Sequence, residues 1–398
     1  MNILYLSSHD PQGREHGARL RARHTIRILS QFAKVRFVLA GAYERHSQAL
    51  APMDSPLNPS EVFDFQPWRV RGAGERIHRE LGSNYLNTHG VKAADQDRRR
   101  LIKLIRESDL VWVHGLRIAN AFNLWSWPKT ILDIDDIPSA VSKTAAVHGK
   151  GAEAKLRAFR QFCLWKRREA RILDRFDAMT VCSEPDRAHF GNSDRVFVVP
   201  NGFDAPSRPL ARRLSHPVRI GFIGSLEYHP NANGLRWFLR EVWPVILQRV
   251  PDATLRLVGS SSDDPEWINT PNVEGLGWVA DADTEMSTWA MTIVPIFEGG
   301  GTRIKISNAF ARKCPVVSTT LGAYGYDVVH ERELLFADLA PDFAKACLRI
   351  IEDPGLSQRL ADTAWEKFLQ KWTWDANVPR LERAIQFVAQ RNRGHHVI

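Results

Sequence analysis

Residues 295–311 read PIFEGGGTRIKISNAFA, and this stretch determines how the rest of the chain is interpreted. A short apolar run ends here, three glycines follow at 299–301, and apolar residues with helical spacing begin at Ile304. This order predicts a strand, a glycine turn and a helix within a parallel α/β sheet. Glycines at such a turn let a ligand approach the backbone closely. The free N–H groups at the start of the helix favour a phosphate.

The charged residues of this stretch point to the same ligand. Arg303 and Lys305 add positive charge at the start of the helix, and an arginine can bind two phosphate oxygens at once. Glu298 can accept hydrogen bonds from sugar hydroxyls. The alternative is a purely structural turn with solvated charges. The spacing matches neither the P-loop pattern nor the G-x-G-x-x-G fingerprint after a first strand, so ATPase and nicotinamide chemistry are not supported.

The same strand–loop–helix order recurs in both halves of the chain. Strands are predicted at residues 2–8, 35–40, 110–113, 130–134, 179–182 and 196–199, then at 218–224, 254–258, 291–295 and 315–318. Helices are predicted at 18–33, with Phe32 on the apolar face, and at 232–248, with Val245 on the apolar face. A turn cluster at 200–204 and a polar, proline-containing segment at 205–217 mark a boundary. We therefore predict two Rossmann-like domains, 1–205 and 206–375, with parallel sheets facing across a ligand-binding cleft.

Composition limits the class of protein. The 398 residues are 44% hydrophobic and 25% charged, as in ordinary globular chains. We find no apolar run of membrane-spanning length and no signal peptide, and the four cysteines are too far apart for a zinc site or a disulfide framework. These features predict a cytoplasmic protein. Residues 1–205 hold 32 Lys and Arg against 23 Asp and Glu, whereas the remaining residues hold 22 of each, so the two halves present different surfaces.

Several motifs together resemble the family-4 retaining glycosyltransferases of the GT-B fold. They occur in the order of that family, densely over residues 199–376 and sparsely before. The segments that carry the resemblance are VPNGFD at 199–204, GFIGSL at 221–226, PNANGL at 230–235, LRLVG at 255–259, VEGLGWV at 273–279, GGTRIKISNAFA at 300–311 and PVVST at 315–319. The resemblance implies two Rossmann-like domains, a nucleoside-diphosphate sugar as donor, and a final helix, about 376–398, that returns to the first domain.

The chain departs from the family pattern at two places. Asn308 stands where the family has the second of two glutamates, and an amide binds ribose hydroxyls less strongly than a carboxylate does. Ser225 stands where the family has an arginine, and Asn231 lies near the place of its lysine. Arg303 and Lys305 are the candidates for replacing that charge.

The residue patterns and the resemblance together give a set of predicted site residues. The predicted catalytic residues are His114, Asp135, Glu298, Arg303 and Lys305. The predicted donor-binding residues are Gly17, Arg21, Gly224, Ser225, Asn231, Gly277, Trp278, Val279, Gly299, Gly300, Gly301, Thr302 and Asn308. No metal and no cofactor are expected, because GT-B enzymes generally neutralise the leaving diphosphate with a helix dipole and basic side chains.

The first half is expected to bind the acceptor. The family's glycine-containing loop corresponds to the region of Gly13 and Gly17, followed by arginines at 14, 19, 21, 23 and 27, which otherwise form a solvated basic helix face. His114 follows a buried strand and is either a cleft histidine or a structural one. Three carboxylates, at positions 133, 135 and 136, lie at the end of another strand. They have three alternative roles: binding a metal, capping the next helix, or receiving a hydrogen bond from a hydroxyl of the acceptor substrate. We favour the last role, with Asp135 or Asp136.

Residues 150–175 combine nine Lys and Arg, beginning at Lys150, with Leu156, Phe159, Phe162, Leu164 and Trp165. Such a segment docks on an anionic membrane surface, or packs as an ordinary helix with a solvated outer face. Nucleic-acid binding is disfavoured, because no recognition module accompanies the charge and the second half is neutral.

The sequence therefore predicts a retaining glycosyltransferase that moves a sugar from a nucleoside-diphosphate sugar to a glycan or lipid-linked acceptor, in the cytoplasm or at the inner membrane face. The alternative is a non-catalytic nucleotide-sugar or glycan-binding subunit with the same fold. A GT-B sugar epimerase fits less well, because the Pro-Asn-Gly segment and the glycine turn argue against it.

Overall fold

The computed structural model describes residues 1–12, 17–41, 55–149, 151–206 and 210–394. Of residues 392–394 only the backbone is described. Gly13, Arg14 and Lys150, which the sequence singled out, lie outside these ranges. The chain divides into two compact units, Met1–Asn201 with Asn377–Ile398, and Gly202–Ala376.

The first unit is built on a seven-stranded sheet whose neighbouring strands are all parallel, in the order β3-β2-β1-β6-β7-β8-β9. A separate antiparallel pair is formed by β4 and β5. The elements are β1 (Asn2–Ser7), α1 (Gly17–Leu29), β2 (Lys34–Ala40), β3 (Glu61–Phe63), β4 (Phe65–Pro67), α2 (Gly72–Leu81), β5 (Val91–Ala93), α3 (Asp95–Glu107), β6 (Leu110–His114), α4 (Leu116–Ala121), β7 (Trp127–Ile134), α5 (Pro138–His148), α6 (Ala152–Glu169), β8 (Phe176–Val181), α7 (Glu184–His189) and β9 (Val196–Val198).

The second unit has a six-stranded sheet, also parallel throughout, in the order β12-β11-β10-β13-β14-β15. Its elements are β10 (Arg219–Ile223), α8 (His229–Trp237), α9 (Trp243–Arg249), β11 (Thr254–Val258), α10 (Pro265–Ile268), β12 (Val273–Gly275), α11 (Ala282–Ser287), β13 (Trp289–Val294), α12 (Ile304–Ala311), β14 (Val316–Ser318), β15 (Leu335–Phe336), α13 (Ala340–Glu352), α14 (Pro354–Lys371) and α15 (Trp374–Gly394). The predicted α/β class with parallel sheets is confirmed.

Both sheets are buried on their two faces, as their nearly continuous apolar strands require. On β1, Leu4 and Leu6 pack into one core while Ile3 and Tyr5 pack into the core of the opposite face. The second half of α15 lies in the latter core, where its apolar residues Leu381, Ala384, Ile385 and Val388 are buried. The chain therefore begins its last helix in the second unit and ends it in the first.

Two helix predictions were wrong in detail. Helix α1 ends at Leu29, and Phe32 beyond it is 38% exposed instead of packing on the helix face. The predicted helix at 232–248 contains a π-helical turn, Phe238–Val242, between α8 and α9. A π turn inserts an extra residue into the helical register. Trp243 is therefore buried in place of Val245, which is 41% exposed.

Candidate functional site

In the second unit, the predicted donor-binding residues gather where the strands of the sheet end. Gly224 follows β10, Gly259 follows β11 and Gly277 follows β12, while the glycines 299–301 follow β13. The first two loops touch, since a Cβ on Gly259 would lie 2.4 Å from the Gly224 carbonyl oxygen. The Gly259 N–H donates to the Gly277 carbonyl at 2.8 Å. The carboxyl edge of the sheet is thus a continuous surface of close-packed loops, the place where open α/β sheets bind ligands.

Lys305, in the first turn of α12, is held by Asn231 of α8, the helix that follows the loop after β10. Its Nζ donates to Asn231 Oδ1 at 2.8 Å, and Asn231 Nδ2 donates to the Ser225 carbonyl at 2.7 Å. Gly224 has a φ of +147°, and a Cβ there would lie 2.9 Å from Asn231 Nδ2 and 3.1 Å from Lys305 Nζ. Only glycine fits beside this amine. The Asn231 side chain thus links the loop after β10 to the first turn of α12.

The ammonium of Lys305 is destabilised by its surroundings. Burial, and secondarily the positive charge of Arg303, lower the pKa of Lys305 to about 7. Its Nζ also lies 4.1 Å from the centre of the Phe222 ring, whose π face attracts a cation. The contacts described for Lys305 include no carboxylate. A phosphate placed here would restore the lost solvation and strengthen the charged form.

Arg303 faces a different way from that predicted. Its guanidinium donates to the carbonyl oxygens of Gly300, Gly301 (2.9 Å) and Glu298 (3.3 Å), and the residue is 8% exposed. It therefore closes the glycine loop on itself. The prediction that Arg303 binds a phosphate directly is not supported by this geometry, because its Nη1 and Nη2 atoms already donate to carbonyl oxygens of the loop. The Arg303 carbonyl in turn accepts from Tyr326 Oη at 3.0 Å.

Glu298 lies beside α8 rather than in open solvent. Its side chain is 15% exposed, and Oε1 accepts from Asn233 Nδ2 at 2.5 Å and lies 3.2 Å from His229 Nδ1. Gly299 has a φ of +104°, and a Cβ there would lie 3.2 Å from Tyr228 Oη. The loop is therefore shaped around its glycine, and Asn233 and Tyr228 belong to its surroundings although the sequence reasoning did not select them.

The remaining predicted donor residues lie on the edges of this surface. The side-chain oxygen of Asn308 accepts from Arg312, whose guanidinium also pairs with Asp283. Gly277 has a φ of +60°, and its N–H donates to Ser262 Oγ at 2.9 Å. Trp278 is 56% exposed, while Val279 and Thr302 are partly buried. An exposed indole next to backbone amides can stack on a nucleobase.

In the first unit, His114 and Asp135 are brought together at the carboxyl edge of the sheet. His114 ends β6 and Asp135 follows β7, and their Nε2 and Oδ2 atoms are 3.1 Å apart. The second ring nitrogen of His114, Nδ1, lies 3.2 Å from Ser7 Oγ at the end of β1. His114 is 3% exposed and the Asp135 side chain is 23% exposed. The carboxylate is therefore the more accessible of the two.

The pair is electrostatically coupled. Burial disfavours the imidazolium of His114, but the charge and hydrogen bond of Asp135 outweigh burial and raise the pKa of His114 above its ordinary value. Burial likewise disfavours the Asp135 carboxylate, yet His114 and Arg21 together hold its pKa well below the usual range. Asp135 therefore stays ionised and is a hydrogen-bond acceptor rather than a strong base at neutral pH.

Arg21 is a structural residue in this geometry, contrary to the prediction that it binds the donor. It is 1% exposed, and its guanidinium pairs with Asp133 at 2.5 Å and with Asp135 at 2.9 Å. It also donates to the Val199 carbonyl at 2.9 Å and to Asn201 Oδ1 at 3.0 Å. With no free face, it is not available to a phosphate. Gly17 is the first residue of α1.

Asp133, which the sequence grouped with Asp135 as a carboxylate cluster, is the buried partner of this arginine. It is fully buried and accepts further hydrogen bonds from Thr180 Oγ1 at 2.7 Å and Trp112 Nε1 at 3.3 Å. A carboxylate inside the apolar strand at 131–134 was the signal of a buried cationic partner that sequence reasoning missed. Within the described ranges, no group of three or more His, Cys, Asp or Glu side chains is arranged to hold a metal ion.

The basic segment at 150–175 is divided between core and surface. In α6, Leu164 and Trp165 are buried, while Leu156 and Phe159 are 69% and 56% exposed. Arg168 is 9% exposed rather than solvated. No helix among the described residues is long and apolar enough to cross a membrane.

The family model described as Glycosyl transferases group 1 matches residues 217–353, which span β10 to α13. An uncharacterised 44.6 kDa protein in the cps region of Klebsiella pneumoniae is 26% identical over 172 residues, which cover 39% of this chain and 42% of that protein.

Solved structures show the fold. Sucrose-phosphate synthase from Thermosynechococcus elongatus has a TM-score of 0.66 at 15% identity and covers 97% of this chain and 98% of its own. HepE from Anabaena, solved in complex with UDP-glucose, has a TM-score of 0.62 at 16% identity and covers 97% and 99%. The chain thus has the GT-B fold.

Proposed function

We propose that this protein is a retaining glycosyltransferase of the family-4 type, which transfers a sugar from a nucleoside-diphosphate sugar to a glycan or lipid-linked acceptor. The observation that carries the proposal is the loop surface of the second unit. There a glycine turn, the first turn of α12 and the poorly solvated amine of Lys305 converge. This surface lies within the matched residues 217–353.

Donor binding follows from the chemistry of these groups. The diphosphate accepts hydrogen bonds from backbone N–H groups at Gly300–Thr302 and from the Lys305 ammonium, which is drawn to its charged form by the anion. Glu298 accepts from hydroxyls of the sugar, and Asn308 contacts the ribose. Gly277, Trp278 and Val279 form the place for the base. In Anabaena HepE a donor of this class, UDP-glucose, is bound within the same fold.

Catalysis is then mainly electrostatic. Negative charge grows on the diphosphate as the bond to the sugar breaks, and in this scheme the backbone amides and the Lys305 ammonium stabilise that charge. Arg303 contributes indirectly, by holding the carbonyls of the loop away from the anion. The acceptor hydroxyl attacks the face that the leaving group vacates and gives its proton to the departing phosphate. No protein nucleophile and no metal are required by this scheme.

The first unit supplies the acceptor side of the reaction. Asp135 accepts a hydrogen bond from the acceptor hydroxyl and orients it, since its low pKa makes it a weak base. His114 positions that carboxylate through the 3.1 Å contact. The exposed apolar and basic residues of α6, with Leu156 and Phe159 outermost, would hold the protein at an anionic membrane surface from the cytoplasmic side.

A thermal-shift screen against nucleoside diphosphates and their sugars tests the donor site. Ligand at a hundred times its Kd stabilises by about 2.7 kcal/mol, a shift of several degrees. A shift with one base, increased by one sugar, would identify the donor, and absence of any shift would refute the proposed donor site.

A non-catalytic nucleotide-sugar or glycan-binding subunit is the second candidate. It is favoured by Asn308, whose amide oxygen is engaged by Arg312, and by Ser225 in place of a basic residue. Slow release of free nucleotide from the donor distinguishes the two, because only an enzyme catalyses it.

A further inference from the structure

The first unit contains a cavity of about 500 Å³ that is separate from the His114–Asp135 pair. Its walls come from α2, from α6 and from the residues flanking β4 and β5. The segment that contains β4, α2 and β5 comes directly after strand β3 in the sequence. Helix α6 comes after strand β7, from which α5 separates it. This places the cavity among the insertions that follow the carboxyl ends of the strands. Its volume is that of an ordinary small-molecule site.

The lining of the cavity is strongly basic. Five of its twelve lining residues are arginines and, among the residues the structure describes, none of the twelve is acidic. The arginines are Arg69, Arg76, Arg79, Arg160 and Arg168. Glu80, which lies outside the lining, pairs with two of them, Arg79 and Arg160. No carboxylate in the described part of the chain forms an ion pair with the other three.

Arg168 is the most deeply placed of these cations. It is 9% exposed, its Nη2 donates to the Arg79 carbonyl at 2.6 Å, and its Nε is buried without a hydrogen-bond partner among the described residues. Its guanidinium carbon lies 5.4 Å from the centre of the Trp165 ring and 5.6 Å from that of Tyr85. Burial lowers the pKa of Arg168 although Tyr85 and Glu80 act in the opposite direction, so its charge is only partly compensated, and a bound anion would reduce the remaining cost.

A second buried atom in the wall, the amide oxygen of Asn87, requires a hydrogen-bond donor rather than an anion. Asn87 Oδ1 is buried and has no hydrogen-bond donor among the described residues. Guanidinium groups bind phosphate oxygens, whereas a vacant amide oxygen accepts from a hydroxyl or an amide N–H. The wall therefore suits a ligand that carries both a multiply charged anion and hydroxyl groups.

We propose that this cavity binds a phosphate or diphosphate ester on the acceptor saccharide, with the ester oxygens at Arg69, Arg76 and Arg168 and a sugar hydroxyl at Asn87. Three cations without carboxylate partners match the charge of a phosphate ester better than that of a single carboxylate. The assignment to the acceptor rests on the proposed glycosyltransferase function, whereas anion binding in the cavity does not depend on it.

Calorimetric titration of inorganic pyrophosphate into the full chain tests the site. Arg76→Gln changes an exposed side chain on α2 and should weaken pyrophosphate binding about tenfold, the effect of losing one charge-assisted contact. Arg157→Gln is the matched control, since it removes an exposed arginine of α6 that pairs with Glu153 outside the cavity. It should leave the affinity unchanged.

Two results would overturn the proposal. One is pyrophosphate binding that is absent, or that survives Arg76→Gln but is lost in Lys305→Met, which would assign all binding to the second unit. The other is glucuronate binding as tightly as pyrophosphate, which would show that a single carboxylate satisfies the cavity.

Two further probes identify the source of the phosphate. Farnesyl monophosphate and glucose 1-phosphate carry the same phosphate charge. Tighter binding of farnesyl monophosphate would support a lipid-linked acceptor, and the reverse order would support a phosphorylated saccharide without lipid. If pyrophosphate binding depends on Arg76 but no donor releases nucleotide, the cavity is confirmed and the transferase proposal fails. If donor turnover is normal and Arg76→Gln leaves the affinity for pyrophosphate unchanged, only the cavity proposal fails.

Discussion

Replacing Lys305 by methionine tests the electrostatic core of the proposed donor site. Methionine keeps most of the length and volume of the side chain, so it can still lie against Phe222, but it removes the amine that donates to Asn231. The hydrogen bond from Asn231 of α8 to the Ser225 carbonyl in the loop after β10 is kept. We therefore expect the fold to be retained while the diphosphate loses one cationic partner.

The size of the loss follows from the type of contact. A hydrogen bond to a charged group is worth about 1.5–3 kcal/mol, which corresponds to a roughly 10- to 150-fold weaker Kd for the donor. The pKa of about 7 adds a pH dependence with a definite sign. Lysine loses its proton as pH rises, so the affinity of the unmodified protein should fall about tenfold between pH 6 and pH 8 if only the ammonium binds the anion.

Calorimetry with UDP-glucose, or with the donor that the thermal-shift screen identifies, measures both effects. Both phosphates of such a donor are esterified, so its charge stays constant over this pH range. Lys345→Met, an exposed lysine on α13, is the control and should keep both the affinity and its pH dependence. Unchanged affinity in Lys305→Met, or the same decline with pH in that variant, would refute the assignment of Lys305 to the diphosphate.

Four further outcomes are expected. Arg21→Met leaves two carboxylates without their buried partner and should lower the free energy of unfolding by about 3–5 kcal/mol, a fall of roughly 6–20 °C in the unfolding temperature of the first unit. The control Arg27→Met, at an exposed arginine, should change that temperature little, and equal effects of the two variants would contradict a structural role for Arg21. Gly224→Ala forces a side chain into a φ of +147° against Asn231 and should lower the free energy of unfolding of the second unit by about 1–3 kcal/mol, measured by denaturant titration, and unchanged stability would contradict the close packing of that loop. EDTA should leave sugar transfer unchanged, and strong inhibition would show that a metal takes part. Phe159→Glu should reduce sedimentation with phosphatidylglycerol vesicles severalfold, and equal sedimentation would count against membrane docking through α6.

Much of the fold could be predicted because it is written in local patterns. The strands β1, β6, β10 and β13 are short apolar runs. Successive side chains of a strand point to opposite faces of the sheet, and both faces are buried, so an uninterrupted apolar run is enough to predict each strand. The short elements between β2 and α3 were not predicted. Strands of three residues, such as β3, carry too few side chains for a periodic signal. The π turn at Phe238–Val242 was likewise missed, because an inserted residue changes the helical register without changing composition.

The candidate site was predicted in part, and the reason differs between residues. The glycines at 224 and 299 are needed for the positive φ of their loops, a local requirement that leaves a trace in the sequence. The directions of Arg21 and Arg303 leave no such trace. A guanidinium on a long side chain reaches a ligand or the protein's own oxygens equally well, and which it meets depends on distant residues such as Asp133.

The sequence by itself therefore determined the α/β class, the parallel strands and the glycine turn before α12, because each depends on neighbours along the chain. Only the tertiary structure decided which charges are free for a ligand. It pairs Arg21 with Asp133, a residue more than a hundred positions away, and turns Arg303 onto its own loop. It also gathers arginines from two separate segments around one cavity. Charge pairing is a matter of distance in space, and folding brings together groups whose separation along the chain conceals their contact.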